Sequence, residues 1–263
     1  MVLVPNGYAD APMRDPVDVL GNSTRHLRDI VEGLETSQLD APAYPAEWTI
    51  ADVLSHLGSG AVLLQRWLED ALAARETPSD LAPSVWAEWN AKSSSVRCSD
   101  ALLADKALLE RLGSVTEAER ASFRFVMGPI NEDFDGFVGL RLKEHALHTW
   151  DIEVSFVPSA TLDIETTAIV VDQLELIVRF TGKPAHSDST VTVRTNTPRR
   201  DFSVTLGPDA VSLTPSELGA KPNVQMSAEA LVRLVYGRLD PEHTPPVESD
   251  IDLDNLRQAF PGP

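Results

Sequence analysis

The stretch Arg141-Leu142-Lys143-Glu144-His145-Ala146-Leu147-His148-Thr149-Trp150-Asp151 decides how this chain is read. Glu144 and His148 are four residues apart, so on a helix their side chains share a face, about 40° apart around the axis. On the same wheel Phe137, Leu140 and Leu147 fall in that arc. The carboxylate and the imidazole are therefore expected inside the apolar stripe that faces the core. A buried carboxylate needs a partner, because losing its hydration is costly. A metal ion suits both residue types. Taken alone, an E-x-x-x-H pair is more often a surface ion pair or a satisfied core histidine, so the rest of the chain must supply what completes a site.

The candidate third group is His56. A helix is predicted to open at Trp48-Thr49, with Thr49 as N-cap, and to run to about Ala74. Its stripe is Val53, Leu57, Ala61, Leu64 and Leu68; His56 borders it, and Asp52, one turn earlier, is placed to orient His56. Two imidazoles and a carboxylate from two helices leave one coordination position for water or substrate, as in catalytic rather than structural zinc sites.

Other polar and aromatic residues carry less. His145 lies about 100° from Glu144 on the wheel and is read as non-ligating. Asp151 either orients His148 or pairs with a basic neighbour. His26, His186 and His243 are expected at the surface, and Arg199-Arg200, after Pro198, in a solvated turn. Trp48, Trp67 and Trp150 are expected in the core, with pocket lining an option for Trp48. The one cysteine, Cys98, has no CxxC context and is read as a small buried apolar residue. There is no glycine-rich phosphate loop and no G-x-S-x-G elbow.

Along the chain, residues 1–15 read as a loose arm. Helical spacing runs from Val17 to Leu34, across the Thr49 helix, from Asp100 to Leu112, and from Asp133 to Val154. Pro42 and Pro45 break the first connection, and 75–83 is a loop. A stretch from Trp86 and Trp89 is weakened by Ser93-Ser94-Ser95, and 113–132 is irregular around Gly128-Pro129. No strands are expected in this part, which predicts a four-helix bundle over residues 1–157. After Pro158 the pattern changes. A helix from Ile164 to Phe180 is followed by a strand at Thr190–Thr195 and a hairpin of Asp201–Leu206 with Ala210–Leu213. A strand at Val224–Met226, a helix from Ser227 to Tyr236 and a short helix from Leu253 to Phe260 complete a smaller α+β domain over 158–263.

Composition bounds function. The net charge of −18 argues against binding a phosphate backbone. No window approaches the roughly 18 apolar residues of a membrane span. Met1-Val-Leu-Val-Pro5 lacks a basic region and a long apolar core, so no secretory signal is expected. A single cysteine fits a reducing, cytoplasmic setting. A monomer or a homodimer is expected.

Trp48-Thr-Ile-Ala-Asp52-Val-Leu-Ser-His56-Leu, followed by Glu144-His145-Ala-Leu-His148-Thr-Trp150-Asp151, resembles the DinB-type bundle of mycothiol-dependent maleylpyruvate isomerases and related mycothiol transferases. Ala230-Leu-Val-Arg233-Leu-Val-Tyr-Gly-Arg238-Leu resembles that family's second, sterol-carrier-like domain. The resemblance spans nearly the whole chain. It implies a divalent metal, usually zinc, held by His56, Glu144 and His148, with mycothiol as thiol cosubstrate and a small electrophile as substrate. It also implies a catalytic arginine in the second domain. Arg238 is the first candidate and Arg233 the fallback; the alternative for Arg238 is an ordinary ion pair near a helix C-terminus, where cations are favoured.

A metal-bound thiol loses its proton, and the thiolate attacks an electrophilic carbon. An isomerase releases the thiol again; a transferase leaves it on the product. Two other readings share the fold: metal-assisted hydrolysis at the same open position, and a non-catalytic protein whose second domain holds an apolar ligand. Thiol-dependent turnover separates the first two, and an aliphatic pocket with Arg238 turned to solvent favours the third.

Overall fold

The computed structural model describes residues 14–44, 47–185, 188–217 and 221–262. The arm expected before residue 14, the breaker Pro45 and the surface role of His186 lie outside the described residues. The chain divides into two compact units, one from Arg14 to Ala160 and one from Thr161 onward. The first is a helical bundle and the second a smaller α+β unit, the fold class that the spacing predicts.

In the first unit the four long helices are α1 (Pro16–Glu32), α2 (Ile50–Leu72), α4 (Ser94–Gly113) and α6 (Phe134–Glu153). Their starts are chemically marked. Asp15 accepts from Val17 N and places Pro16 at the first helical position. Thr49 and Asp52 form a reciprocal capping box on α2. Asp133 accepts from Gly136 N on α6. Helix α2 packs on α4 and α6, and α1 packs on α6 and α4. Leu20, Leu27, Ile50, Leu54, Leu57, Leu68, Leu108, Phe137 and Trp150 fill the space between them.

Three parts of the first unit depart from the sequence reading. The serines at 93–95 do not weaken a helix. Ser93 is the N-cap of α4, which begins at Ser94, and a separate short helix, α3 (Leu81–Asn90), precedes it. A serine that competes with the backbone inside a helix is favoured at its first position. Residues 113–132 are not irregular: they form α5 (Glu117–Ser122) and a hairpin of β1 (Phe125–Met127) with β2 (Ile130–Glu132), turning at Gly128 with φ +58°. Asp52 does not orient His56. Its carboxylate accepts from Thr49 and from Arg97 Nη1 at 2.6 Å, which ties the start of α2 to α4.

The second unit opens with α7 (Ile164–Val170), one 3₁₀ turn and α8 (Leu174–Thr181), where one helix was expected. Strands β3 (Ser189–Asn196), β4 (Asp201–Leu206) and β5 (Val211–Pro215) form an antiparallel meander. Strand β6 (Val224–Ser227) joins β3 in parallel, and the two-residue β7 (Glu248–Ser249), too short for a sequence signal, closes the order β5-β4-β3-β6-β7. Val191, Val193, Phe202, Val204, Val211 and Leu213 are buried at a period of two, so one face of the meander is core. Helix α9 (Ala228–Val235) starts where the side chain of Ser227 accepts from Ala230 N, and α10 (Asp254–Ala259) follows. No helix among the described residues is long and apolar enough to cross a membrane.

Helices α2, α3 and α4 meet at Gly58. A Cβ built there would run into the Trp89 ring and lie 3.0 Å from Ala101 Cα, so the close approach requires glycine. Gly58→Ala should cost about 1–3 kcal/mol through overpacking. Gly21→Ala on α1, with nothing within 4 Å of a built Cβ, should be neutral or stabilising by a few tenths. Thermal unfolding of both variants beside the parent checks this; equal midpoints would show that the Gly58 contact is not tight.

Candidate metal centre

Helix α6 is buried on most of its circumference, and its rotation is set by residues on the strip adjoining Glu144. Arg141 and His145, one turn apart, point among α1, α2 and α4. Arg141 Nη2 donates to Asp105 Oδ1 at 2.6 Å and to the Leu57 carbonyl at 2.8 Å. His145 Nε2 lies 3.2 Å from Asp105 Oδ2, and its Nδ1 lies 2.8 Å from Ser23 Oγ. Asp105, Arg141 and His145 are all 3% exposed or less. Burial by itself would raise the Asp105 carboxyl, but the charges of His145 and Arg141 and their hydrogen bonds outweigh it and hold it below the usual range. His145 shifts downward, driven by its complete burial. This cluster went unread in the sequence, yet it left a signal: Asp105 interrupts the stripe Ala101, Leu108, Leu112, which is buried at helical spacing.

With α6 so fixed, Glu144 and His148 face α2. His56 Nε2 lies 3.3 Å and His148 Nε2 3.7 Å from Glu144 Oε2. All three donor atoms lie within 4.8 Å of one another. A tetrahedral ion with bonds near 2.0–2.1 Å separates its ligands by about 3.3 Å. The two separations from Glu144 Oε2 lie near that edge length, and two imidazole nitrogens with one carboxylate oxygen form a donor set suited to a borderline divalent ion. The sequence places this pair in a core-facing stripe, and the structure corrects that. Gly136, Leu140, Glu144 and His148 form the partly open strip of a helix that is otherwise mostly buried, and the Glu144 side chain is 42% exposed. An element packed on nearly every side has no single apolar stripe to mark its core face.

The surroundings of the three residues are polarised. Burial pushes the Glu144 carboxyl up. The hydrogen bond from His56 and the charges of His148, His56 and Lys143 prevail, and its pKa falls to about 2. Asp151, fully buried, accepts from His148 Nδ1 at 2.8 Å, which leaves Nε2 as the nitrogen facing Glu144. Of the two roles open to Asp151, orienting His148 is the one the structure displays. Trp48 is not a core residue. At 37% exposure it stacks on His148, with ring centroids 5.8 Å apart and planes at 14°, and lies 5.4 Å from the His56 ring.

The remaining candidates fall elsewhere. Arg238, in the second unit, is buried and its Nη1 donates to the Tyr236 carbonyl at 2.9 Å. Arg233 pairs with Glu229 and donates to the carbonyls of Arg238 and His243, so its guanidinium ties α9 to the segment that follows. His26 is at the surface against Glu153, whereas His243 is largely covered, with Nδ1 bonded to Asp240. Arg200 is not simply solvated: it forms a two-point pair with Asp172 at 2.7 and 2.8 Å. Trp150 is core, Trp67 is only partly buried, and Cys98 is partly rather than fully covered, with burial pushing its thiol up.

Residues 20–153 match the family model described as the mycothiol maleylpyruvate isomerase N-terminal domain. Among solved structures, the mycothiol-dependent maleylpyruvate isomerase aligns with a TM-score of 0.62 at 15% identity, covering 87% of this chain and 90% of that one. A mutant of that enzyme aligns with the same TM-score and coverage at 14% identity. At these identities the likeness is one of fold. No curated protein matches the chain in sequence.

The Asp105 cluster has a pH signature. Because its folded pKa lies below the ordinary value, Asp105 contributes stability that is present at neutral pH and lost as pH falls through the folded pKa. Asp105→Asn, which strands Arg141, should cost about 3–5 kcal/mol at neutral pH. The gap from the parent in urea unfolding should narrow on acidification. A gap of constant size at every pH would remove Asp105 from this role.

Proposed function

Because the chain belongs to the family of the mycothiol maleylpyruvate isomerase N-terminal domain, we propose that it is a metal-dependent enzyme using a low-molecular-weight thiol, mycothiol, on a small electrophilic substrate that bears a carboxylate. The observation that carries this reading is the meeting of His56, Glu144 and His148 donor atoms from two helices within 4.8 Å. These three residues would hold a divalent ion, zinc by the character of the donor set. When bound, the ion supplies a Lewis acid that favours the deprotonated form of a coordinated thiol.

The protein's own groups account for the rest. Glu144 stays ionised at any physiological pH, since its pKa is held at about 2. Asp151 fixes the His148 tautomer through the 2.8 Å bond to Nδ1, so that Nε2 offers a lone pair. The indole of Trp48 covers the two imidazoles from one side and gives the site an apolar wall. Three protein donors leave a place for the thiol sulfur. In an isomerisation the sulfur adds to a conjugated double bond, the resulting single bond rotates, and elimination restores both thiolate and double bond; in a transfer the sulfur remains on the product. Arg238 is the proposed clamp for the substrate carboxylate, which a planar guanidinium can bind at two points.

Metal analysis of purified protein beside His56→Ala tests the site: the parent should carry close to one equivalent and the variant at least about tenfold less under the same dialysis, a loss in keeping with one coordinating bond. Equal, sub-stoichiometric metal in both would end the assignment. Isomerisation of a maleyl-type cis-olefinic acid, or its conversion to a thiol adduct, should require added thiol; cleavage of a substrate bond by water with no thiol present would point to a hydrolase. Arg238→Ala should retain the metal and lose at least about a hundredfold in kcat/KM, the scale of a lost charge-stabilising contact. Unchanged kinetics would take Arg238 out of the mechanism.

A further inference from the structure

A cavity lies in the first unit, toward the end of α2 away from His56. Its lining includes Trp67 and Ala71, the loop after the helix, the start of α3 and the β1–β2 hairpin. Trp67 is eleven residues beyond His56, about 16 Å along the helix axis. The cavity measures about 650 Å³, within the range of small-molecule sites.

We propose that this cavity is a binding site for a small aromatic carboxylate. Its wall is apolar and aromatic. The Trp67 and Phe125 rings lie 5.9 Å apart, and Val126 and Met127 on the hairpin are 68% and 42% exposed. Adjoining apolar side chains left in water are a feature of ligand grooves more than of plain surface. Its polar rim carries two guanidiniums, Arg75 and Arg124. Arg124 donates through Nη1 to the Phe123 carbonyl beside it, and among the described residues it meets no carboxylate. By contrast Arg66, Arg97, Arg111, Arg120, Arg179 and Arg257 all pair with acids in this chain of net charge −18.

The same walls limit the occupant. Asp70 is buried and its Oδ2 accepts from Arg66 and Thr77, which fixes the loop after α2 as one side of the cavity. Arg75 lies 3.1 Å from Asp70 Oδ1, so Arg66 and Arg75 share one carboxylate. Glu76 stands on the same rim. The guanidiniums of Arg66, Arg75 and Arg124 exceed the carboxylates of Asp70 and Glu76 by a single charge, which suits a monoanion better than a dianion such as phosphate. A negative chain repels free anions at long range, so binding must come from the local guanidinium fork together with burial of a ring against Trp67 and Phe125.

The test is calorimetric titration with 1-naphthoate, run beside 1-naphthalenemethanol, its neutral counterpart, and with methyl NMR of Met127 and Val126. Saturable naphthoate binding with shifts at Met127 and Val126 is the expected result. Arg124→Ala, at an exposed position, should keep the parent's thermal midpoint and weaken binding at least about tenfold, the effect of one charge-assisted contact. Arg124→Lys, which keeps the charge without the fork, should fall between. His56→Ala should bind as the parent does. The proposal is overturned if naphthoate fails to saturate, if Arg124→Ala binds it as tightly as the parent, if the alcohol binds equally well, or if His56→Ala abolishes binding and so locates the ligand at the histidine–glutamate cluster.

Discussion

Everything at the candidate metal centre depends on the azimuth of one helix. A helix packed on nearly every side is free to slide or roll as far as hydrophobic contact is concerned, because that contact is not directional. Asp105 removes that freedom for α6. Its two carboxylate oxygens take Arg141 and His145 separately, and Arg141 also caps the Leu57 carbonyl on α2. Charged groups this deeply buried are poor sources of net stability, but breaking one of them is expensive, so alternative rotations that part them are disfavoured. The cluster supplies orientation where packing alone supplies cohesion.

That orientation has chemical consequences on the adjoining strip of the same helix. Glu144 and His148 emerge where α6 is partly open, beside the second turn of α2, which carries His56. The start of α2 is itself anchored by the Thr49–Asp52 box and by Arg97. Two independently fixed elements thus bring His56, Glu144 and His148 atoms within 4.8 Å of one another, with Asp151 and Trp48 holding the His148 ring from its edge and its face. Preorganisation of this kind is what allows a site to hold a cation without refolding around it.

The four long helices were readable because their apolar residues recur at helical spacing, with Thr49 marking the start of α2, although α4 shows its pattern only from Asp100, six residues after it begins at Ser94. The alternating valines of β3 and β4 were readable for the same reason at period two. What escaped was either too short or two-sided. The three-residue strands of β1 and β2 and the two residues of β7 give no period to detect. Ser93 looks like a breaker by composition and stands at the N-cap position of α4, with no capping hydrogen bond from its side chain. The donors His56, Glu144 and His148 were identifiable as residues, but the face they occupy was not, since a wheel assigns a core side only to a helix that has one. Asp105 was visible as a polar intruder in a buried stripe; its partners lie 36 and 40 residues away, and only the fold brings them together.

Gly60 is the silent member of that arrangement. A Cβ built on it would sit 3.0 Å from Arg141 Nη1, closer than side chains normally pack. The guanidinium cannot easily yield, since its other terminal nitrogen is tied to Asp105 and Leu57. Positions 60 and 141 are therefore sterically coupled: as long as an arginine occupies the middle of the bundle, the adjoining turn of α2 is closed to larger residues. A shorter residue at 141 would lift that restriction and leave room for a side chain at 60 to fill the lost volume.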